Sequence, residues 1–521
     1  MKAHLLSPTR DLDFSAELET VVPNHEALIA DLELTTVLAT MAAGDRFLYD
    51  VCTRVLLTSV TDPAEITYRQ RVLTDCVQQA GIVTELYQLA HDTLADKRKL
   101  WGYGYHSQFP GSILSGAVTH LEALVVRLKQ LRAFAHEHAG RFRSDGFQTL
   151  FTTIRSELDD EYLQTVEAHL KKLRFSNGHL LSAQLGRDLS GVRYVLRYGD
   201  LKPRWRELLS VGAGDHYSFT IPQRDEAGAR VLGELSDRGI NVVANAAARS
   251  ADHITSYFQM LRAELAFYLG CVNLRARLLE RGTPVSLPVP TVKRPLRLSC
   301  SDLRDPALAL RTDATVVGND VDADDTPLVV ITGANSGGKS TFLRSVGCAQ
   351  LMMQCGMFVA AERYEASVAD GLFTHFIRDE DETMESGRLD EELARMSYCA
   401  DQLRPGSTIL FNESFAATNE REGSEIARQI VRALLEADVR ILFVTHLYDF
   451  ASSFTTDGDG ASQRASGVLF LRAERGEDGR RPYKLVVAEP LPTSFGVDVY
   501  ERRLGGSFAG PLLNQAADDR D

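Results

Sequence analysis

Between about residues 25 and 282 the apolar positions recur mainly at helical spacing. In DRFLYDVCTRVLLTSV, Phe47, Leu48, Val51, Cys52, Val55 and Leu56 share one stripe, which predicts a helix with a single buried face. The next helix announces its start. Asp62 supplies a cap, Pro63 suits the first turn, and Glu65 stands three residues after the cap, as in a capping box. Longer helical patterns at about 114–138, 146–172 and 249–281 predict a lever or a bundle. One stretch breaks the period: GHLLSAQLG and GVRYVLRY, with RDLS between them, predict a β-hairpin at about 178–198, and HYSFTIP at 216–222 adds a candidate strand.

The Pro-rich stretch GTPVSLPVPTVKRPLRLS (282–299) cannot continue a helix and marks the domain boundary. Beyond it short apolar strands alternate with helices, the pattern of an α/β layer fold. The expected division is therefore 1–290, helical, and 291–521, α/β. With 44% hydrophobic and 25% charged residues, the chain has an ordinary globular composition, and no uninterrupted apolar run approaches the roughly 18–20 residues of a membrane span. The start, MKAHLLSPTRDLDF, lacks the apolar stretch of a secretory signal, so a cytoplasmic protein with no membrane partner is expected. Seven scattered cysteines, none spaced CxxC, suggest buried reduced thiols rather than a disulfide framework or a zinc site. A net charge of −14 argues against a uniform nucleic-acid coat but leaves room for a local basic surface.

The chemistry concentrates in the second half. LVVITGANSGGKST (328–341) is an apolar strand, a glycine-rich loop and a helix start, and it satisfies GxxxxGK[ST] from Gly333 to Ser340. Such a loop curls its backbone N–H groups round phosphates, and the helix N-terminus adds positive potential. Gly333, Ala334, Asn335, Ser336, Gly337, Gly338, Lys339, Ser340 and Thr341 are thus the candidate nucleotide-binding residues. Lys339 would reach the β- and γ-phosphates of ATP, and the Ser340 hydroxyl would ligate Mg²⁺. A second strand, TILFNE, ends in Asn412-Glu413 where a nucleotide hydrolase normally has Asp-Glu, making Glu413 the candidate to orient or deprotonate water. A third, RILFVTH, ends in Thr445-His446, whose imidazole could sense a γ-phosphate or hydrogen-bond the attacking water.

The run from about 300 to 505 resembles the ATPase domain of the MutS mismatch-repair family, a branch of the ABC-type ATPases. ITGANSGGKSTFLRSVGCAQLMMQCGMFVAA resembles that family's phosphate loop and first helix, VVGNDV (316–321) the segment before it, NESFAATNEREG its second motif, FVTHLYDF its His-bearing strand, and SFGVDV (494–499) its last helix start. LTTVLATMAAGDRFLYDVCTRVLLTSVTDPAEITYRQRVLTDC resembles the start of the family's core and lever domain. The resemblance implies an ABC-type P-loop ATPase domain preceded by a mainly helical lever domain with a small hairpin insertion, an ATP-driven switch between open and closed homodimers, and slow Mg²⁺-dependent hydrolysis. It leaves no room before residue 25 for a mismatch-reading domain, shortens the clamp, and shows neither a helix-turn-helix tail nor a nuclease-like domain at the end.

Three positions depart from the family pattern. Asn412 replaces the usual Asp as a metal-holding group, Val316 falls where the family tends to place an aromatic against adenine, and DEDETMESGRLDEELARM (379–396) replaces the usual signature, with Leu389 in the signature serine's slot. Ser386, Gly387 and Arg388 precede a helix whose N-terminus could face a partner subunit's γ-phosphate; the other reading of this acidic run is a solvated helix approach. ADKRKLWGYGYH (95–106) reads as a charged helix end followed by packed aromatics more readily than as a nucleic-acid patch. The cluster Lys171, Lys172, Arg174, Arg187, Arg193, Arg197, Lys202, Arg204 and Arg206 borders the hairpin, where DNA would be touched through its backbone rather than its bases. The competing function is a non-hydrolysing, ATP-loaded scaffold acting on a protein or ribonucleoprotein partner.

Overall fold

The computed structural model describes residues 2–10, 14, 22, 24–101, 110–175, 180–188, 191–197, 222, 225–378, 387–455, 467–476 and 481–492. Along the chain come α1 (His25–Asp31), α2 (Leu34–Ala42), α3 (Arg46–Leu57), α4 (Pro63–Gln78), α5 (Ala80–Trp101), α6 (Pro110–His138), α7 (Asp145–Glu157), α8 (Asp160–Leu173), β1 (Leu180–Leu185), β2 (Gly191–Arg197) and the 55-residue α9 (Glu226–Glu280). Then follow β3 (Val289–Thr291), β4 (Leu298–Leu303), α10 (Pro306–Arg311), β5 (Asn319–Asp322), β6 (Leu328–Gly333), α11 (Lys339–Gln354), β7 (Arg363–Ser367), β8 (Leu372–Phe376), α12 (Arg388–Gln402), β9 (Thr408–Asn412), α13 (Glu420–Glu436), β10 (Arg440–Val444), α14 (Tyr448–Ser452), β11 (Val468–Ala473) and β12 (Leu485–Val487). Mixed helix and sheet in this order is the α/β pattern expected for the second half.

Two compact units emerge, and they are not the linear halves expected. One comprises residues 1–5 and 79–265, the other residues 6–78 and 266–521. The cut at residue 290 differs from this division because the apolar stripe of the early helices is spent on the second unit's core. Cys348 Sγ lies 3.5 Å from the Leu32 carbonyl, Val60 N donates to Gln354 O at 3.1 Å, and Arg69 Nη1 donates to Cys355 O at 3.4 Å. The helix α9 contributes residues up to Leu265 to one unit and the remainder to the other.

In the first unit α7 and α8 replace the single helix expected over 146–172. Asp159 stops the run by accepting from Tyr162 N at 2.7 Å, a side-chain cap that starts α8 afresh. Phe142, Phe147 and Phe151 cluster there with centroids 4.3 and 5.3 Å from the Phe142 ring. The hairpin forms where expected, β1 antiparallel to β2, and none of its residues is fully buried. The candidate strand at 216–222 lies outside the described residues except for Pro222. The helix α6 has the length and mean hydropathy, 1.2, of a membrane crossing, but 44% of that stretch is buried within the protein, so packing accounts for its apolarity.

The second unit contains a six-stranded sheet in the order β12-β11-β6-β10-β9-β8, parallel except for β12, and a four-stranded sheet in the order β3-β7-β4-β5. Between them runs α11, buried over most of its length. Its polar residues are satisfied: Gln350 Nε2 donates to Ser367 O and Gln354 Nε2 to Ala369 O, both at 2.9 Å, so burial carries no orphan-amide cost. Leu328, Val330, Ile409, Phe411, Ile441 and Phe443 form the opposite core against α13 and α14. All seven cysteines are buried and free.

Candidate functional site

Sheet order brings the three chemistry-bearing strand ends together. β10 lies between β6 and β9, each pair parallel and in register, so Gly333, the Thr445-His446 step and the Asn412-Glu413 step leave the same edge on neighbouring strands about 4.8 Å apart. From Gly333 the chain turns through the glycine-rich loop into α11. Gly338 caps that helix at φ +91°, a conformation that excludes a side chain cheaply only for glycine. Ser336, Glu413 and Phe415 also have positive φ (57°, 54° and 64°), a cost of about 1–3 kcal/mol each that the surrounding structure must hold. Glu413 is held by its own N–H, which donates to Val444 O at 2.9 Å.

Lys339 is 5% exposed and folds back over the loop, donating to Gly333 O at 2.8 Å and standing 3.7 Å from Glu413 Oε1. Burial pulls its pKa below the ordinary lysine value; the Glu413 charge opposes this and the Arg481 charge adds to it. Glu413 in turn bonds His446 Nδ1 through Oε2. Burial alone would raise the Glu413 carboxyl, but the His446 hydrogen bond and the Lys339 charge outweigh it, so the group is held below its usual range. His446 is shifted upward by the same bond, against a smaller opposing effect of burial. The Glu413 carboxylate thus stands between Lys339 and His446 beside the glycine-rich loop.

Ser340 Oγ donates to Asn412 Oδ1 at 2.8 Å. These two oxygens are hard neutral donors of the kind Mg²⁺ accepts, and they converge on one point between the loop and β9, so the donor chemistry fits that ion. Thr341 lies in the first turn of the same helix. On the far side of β9, Gly387 caps α12 and Arg388 opens it, whereas Ser386 and the acidic stretch 379–385 lie outside the described residues. Val316 is buried, 8% exposed, and offers no aromatic face.

A second group of residues carries no local signal in the sequence. His375, on β8, has Nδ1 2.8 Å from Ser414 Oγ and Nε2 3.1 Å from Glu392 O. A carbonyl only accepts, so Nε2 carries the proton, and the buried ring stays neutral with its pKa pushed down to about 4, chiefly by burial. The Glu392 carboxylate accepts from Phe415 N at 2.9 Å. These bonds tie α12 to the loop that follows Glu413. They were invisible beforehand because the partners are 17 to 39 residues apart and meet only through strand pairing.

In the first unit, Arg193 and Arg197 project from β2 on an exposed ribbon, with Arg187 in the turn between the strands and Lys171 and Lys172 in the last turn of α8. Arg174 is engaged by Glu122. Lys202, Arg204 and Arg206 lie outside the described residues, as do the aromatics following Trp101; α5 does run to Trp101, as the charged helix end required.

Comparison with known proteins adds independent support. Residues 61–281 match the family described as the MutS2 N-terminal domain, and residues 329–501 match MutS domain V. The DNA mismatch repair protein MutS of Chloroflexus aurantiacus is 28% identical over 252 residues, 46% of this chain and 26% of that protein. The protein of the same name from Thermus thermophilus is 30% identical over 198 residues, 38% and 23% of the two chains. Endonuclease MutS2 of Thermomicrobium roseum is 28% identical over 415 residues, 77% of this chain and 49% of that protein. The chain spans less than half the length of these curated relatives. With a MutS2 N-terminal domain and MutS domain V matched one after the other along it, the chain belongs to the MutS family.

Proposed function

We propose that the protein binds ATP at the loop 333–341, hydrolyses it slowly with Mg²⁺, and uses the cycle to switch a homodimer whose helical unit engages DNA, in recombination or mismatch repair. The reading rests above all on one observation, the Lys339–Glu413–His446 chain at the ends of three adjacent strands. Members of the matched C-terminal family are ATPases in general. Lys339 would neutralise the β- and γ-phosphate oxygens once ATP displaces its present carbonyl contacts. Glu413, its pKa held down by the His446 hydrogen bond and the Lys339 charge, would accept a hydrogen bond from the attacking water and take its proton as the water oxygen bonds to phosphorus and ADP leaves. His446 would hold Glu413 in place through their hydrogen bond. Ser340 and Asn412 would hold Mg²⁺, which would supply electrostatic stabilisation to the phosphates.

Gly387 and Arg388 would face the γ-phosphate of a second copy, which supports a composite, dimer-dependent site. The match of residues 61–281 to a MutS2 N-terminal domain favours the MutS2-like branch of the family for the DNA-coupled role, working in the cytoplasm. A second reading, a non-hydrolysing ATP-gated scaffold for a protein or ribonucleoprotein, is favoured by one feature only, the neutral Asn412 where a metal-holding carboxylate is usual. Single-turnover hydrolysis with excess enzyme separates them. ADP should form slowly in the wild type and not in Glu413→Gln. Lys339→Ala should lose ATP affinity by at least tenfold, the value of one charge-assisted contact. Absence of ADP from the wild type over hours, with ATP bound, would favour the scaffold.

A further inference from the structure

The starts of the parallel strands border a cavity at the edge of the six-stranded sheet opposite the glycine-rich loop. Leu372, Thr408 and Arg440 open β8, β9 and β10, Pro327 precedes β6, and all four line it. The cavity measures about 210 Å³ and has mostly apolar walls, among them Leu296, Leu298, Val346 and Leu442. An apolar cavity of about 150 Å³ admits benzene, so this one has room for a ring and one polar group.

Its charges do not balance. Lys293, Arg294 and Arg440 line it together with two carboxylates, Asp370 and Asp438. Lys293 Nζ donates to both oxygens of Asp370, at 2.5 and 2.6 Å, and Arg294 pairs with Asp438. Arg440 is left over. Its Nη1 and Nη2 donate to neutral acceptors, the Arg297 and Ala323 carbonyls, at 2.8 and 2.7 Å, and its Nε is buried without a hydrogen-bond partner. Among the described residues it has no ion pair, and Asp324, which favours its charge electrostatically, is engaged by Arg297.

Burial pulls the Arg440 pKa down to about 10, which still leaves the group protonated at neutral pH. A buried cation is costly unless an anion answers it, and a buried N–H needs an acceptor. Gln350 and Ser367, on the same walls, are already engaged: Gln350 Nε2 donates to Ser367 O, and Ser367 Oγ accepts from Arg297 N, both at 2.9 Å. The unmet demand is an acceptor that carries negative charge, on a body that suits apolar walls.

We propose that this cavity binds a small organic carboxylate, whose anionic oxygens pair with Arg440 while its apolar body lies against Leu298, Val346 and Leu442. Inorganic phosphate would answer the charge but leave the walls uncovered. The cavity and the glycine-rich loop lie at opposite ends of the same strands, so this site stands apart from the ATP reading.

Benzoate is the probe, with benzamide as its neutral isostere and inorganic phosphate as the bare anion, each titrated calorimetrically against the full chain at fixed ionic strength. Benzoate should saturate one site per chain and raise the thermal midpoint, and benzamide should bind about tenfold more weakly for want of a charge-assisted contact. Phosphate should also bind about tenfold more weakly, having no apolar surface to bury. Leu296 is half-buried, so Leu296→Trp adds a ring to the wall and leaves Arg440 intact; the variant should keep its thermal midpoint and lose benzoate affinity about tenfold. Arg440→Met should lose as much and cease to tell benzoate from benzamide. If Arg440→Met fails to fold because the Arg297 and Ala323 carbonyls lose their donors, the wild-type comparison of benzoate with benzamide and the Leu296→Trp titration still decide. Absence of saturable benzoate binding, equal affinity for benzamide, phosphate binding as tight as benzoate, or undiminished benzoate affinity in Leu296→Trp would each overturn the site. So would displacement of benzoate by Mg²⁺-ATP in direct competition, which would move it to the glycine-rich loop.

Discussion

At position 412 an amide stands where the family resemblance leads one to expect a carboxylate. Asn412 Oδ1 accepts from the Ser340 hydroxyl, a neutral contact of the kind that is roughly half as strong as a charge-assisted one. Asn412→Asp should therefore lower the Mg²⁺ concentration for half-maximal turnover by about tenfold, or roughly 1.4 kcal/mol; an unchanged magnesium titration would show that this residue does not set the metal's hold. The neighbouring Glu413–His446 pair has a defined pH window. His446, its pKa raised, contributes stability that is complete below its unfolded value of 6.5 and is lost as pH rises through the higher folded value. Glu413, its pKa lowered, contributes stability present above its unfolded value of 4.5 and lost as pH falls through the lower folded value. An NMR titration should place the His446 midpoint above 6.5 in the wild type and lower it in Glu413→Gln, where burial and the Lys339 charge are opposed by the smaller effect of the Glu420 charge. Equal midpoints in the two proteins would mean that the pair does not form in solution.

Among the elements, α11 matters most, because it carries the loop at one end and is wedged between two sheets. Arg344 on this helix bonds the fully buried Asp305 through Nε at 2.9 Å and Glu33 through Nη1 at 2.6 Å. Asp305 in turn caps α10 by accepting from Ala307 N and Leu308 N. Arg344→Met keeps the aliphatic volume but leaves a buried carboxylate without its cation, so urea unfolding should lose about 3 kcal/mol. A change below about 0.5 kcal/mol would mean that the backbone cap alone compensates Asp305. Helix α12 has the opposite character. It is amphipathic and capped by Gly387 without a side-chain bond, and it is tied to the loop that follows Glu413 by Glu392 and His375.

For the whole molecule, the net charge of −14 coexists with a basic, exposed ribbon in the helical unit. If that ribbon meets DNA phosphates, affinity should fall steeply with salt, and replacing Arg193 and Arg197 by Gln should reduce the magnitude of the slope of log K against log salt by about 2, equally for matched and mismatched duplexes. A slope unchanged by the double substitution would move the DNA contact elsewhere or remove it.

Much was legible in the residues alone. The glycine-rich loop was legible because backbone at positive φ, as at Gly333 and Gly338, favours glycine, and the hairpin because a period of two interrupts helical spacing. The stripe in residues 46–57 was correct as a buried face, but the sequence could not say what it faces. Tertiary structure decided that, joining residues 6–78 to the α/β unit, because apolar burial is non-directional and any complementary face satisfies the pattern. It also decided that Glu413 and His446 touch, since β9 and β10 become neighbours only through pairing, and that Arg481 meets the glycine-rich loop at Asn335, 146 residues away. Local chemistry is written in spacing; which chemistries meet is set by sheet order, which spacing does not encode.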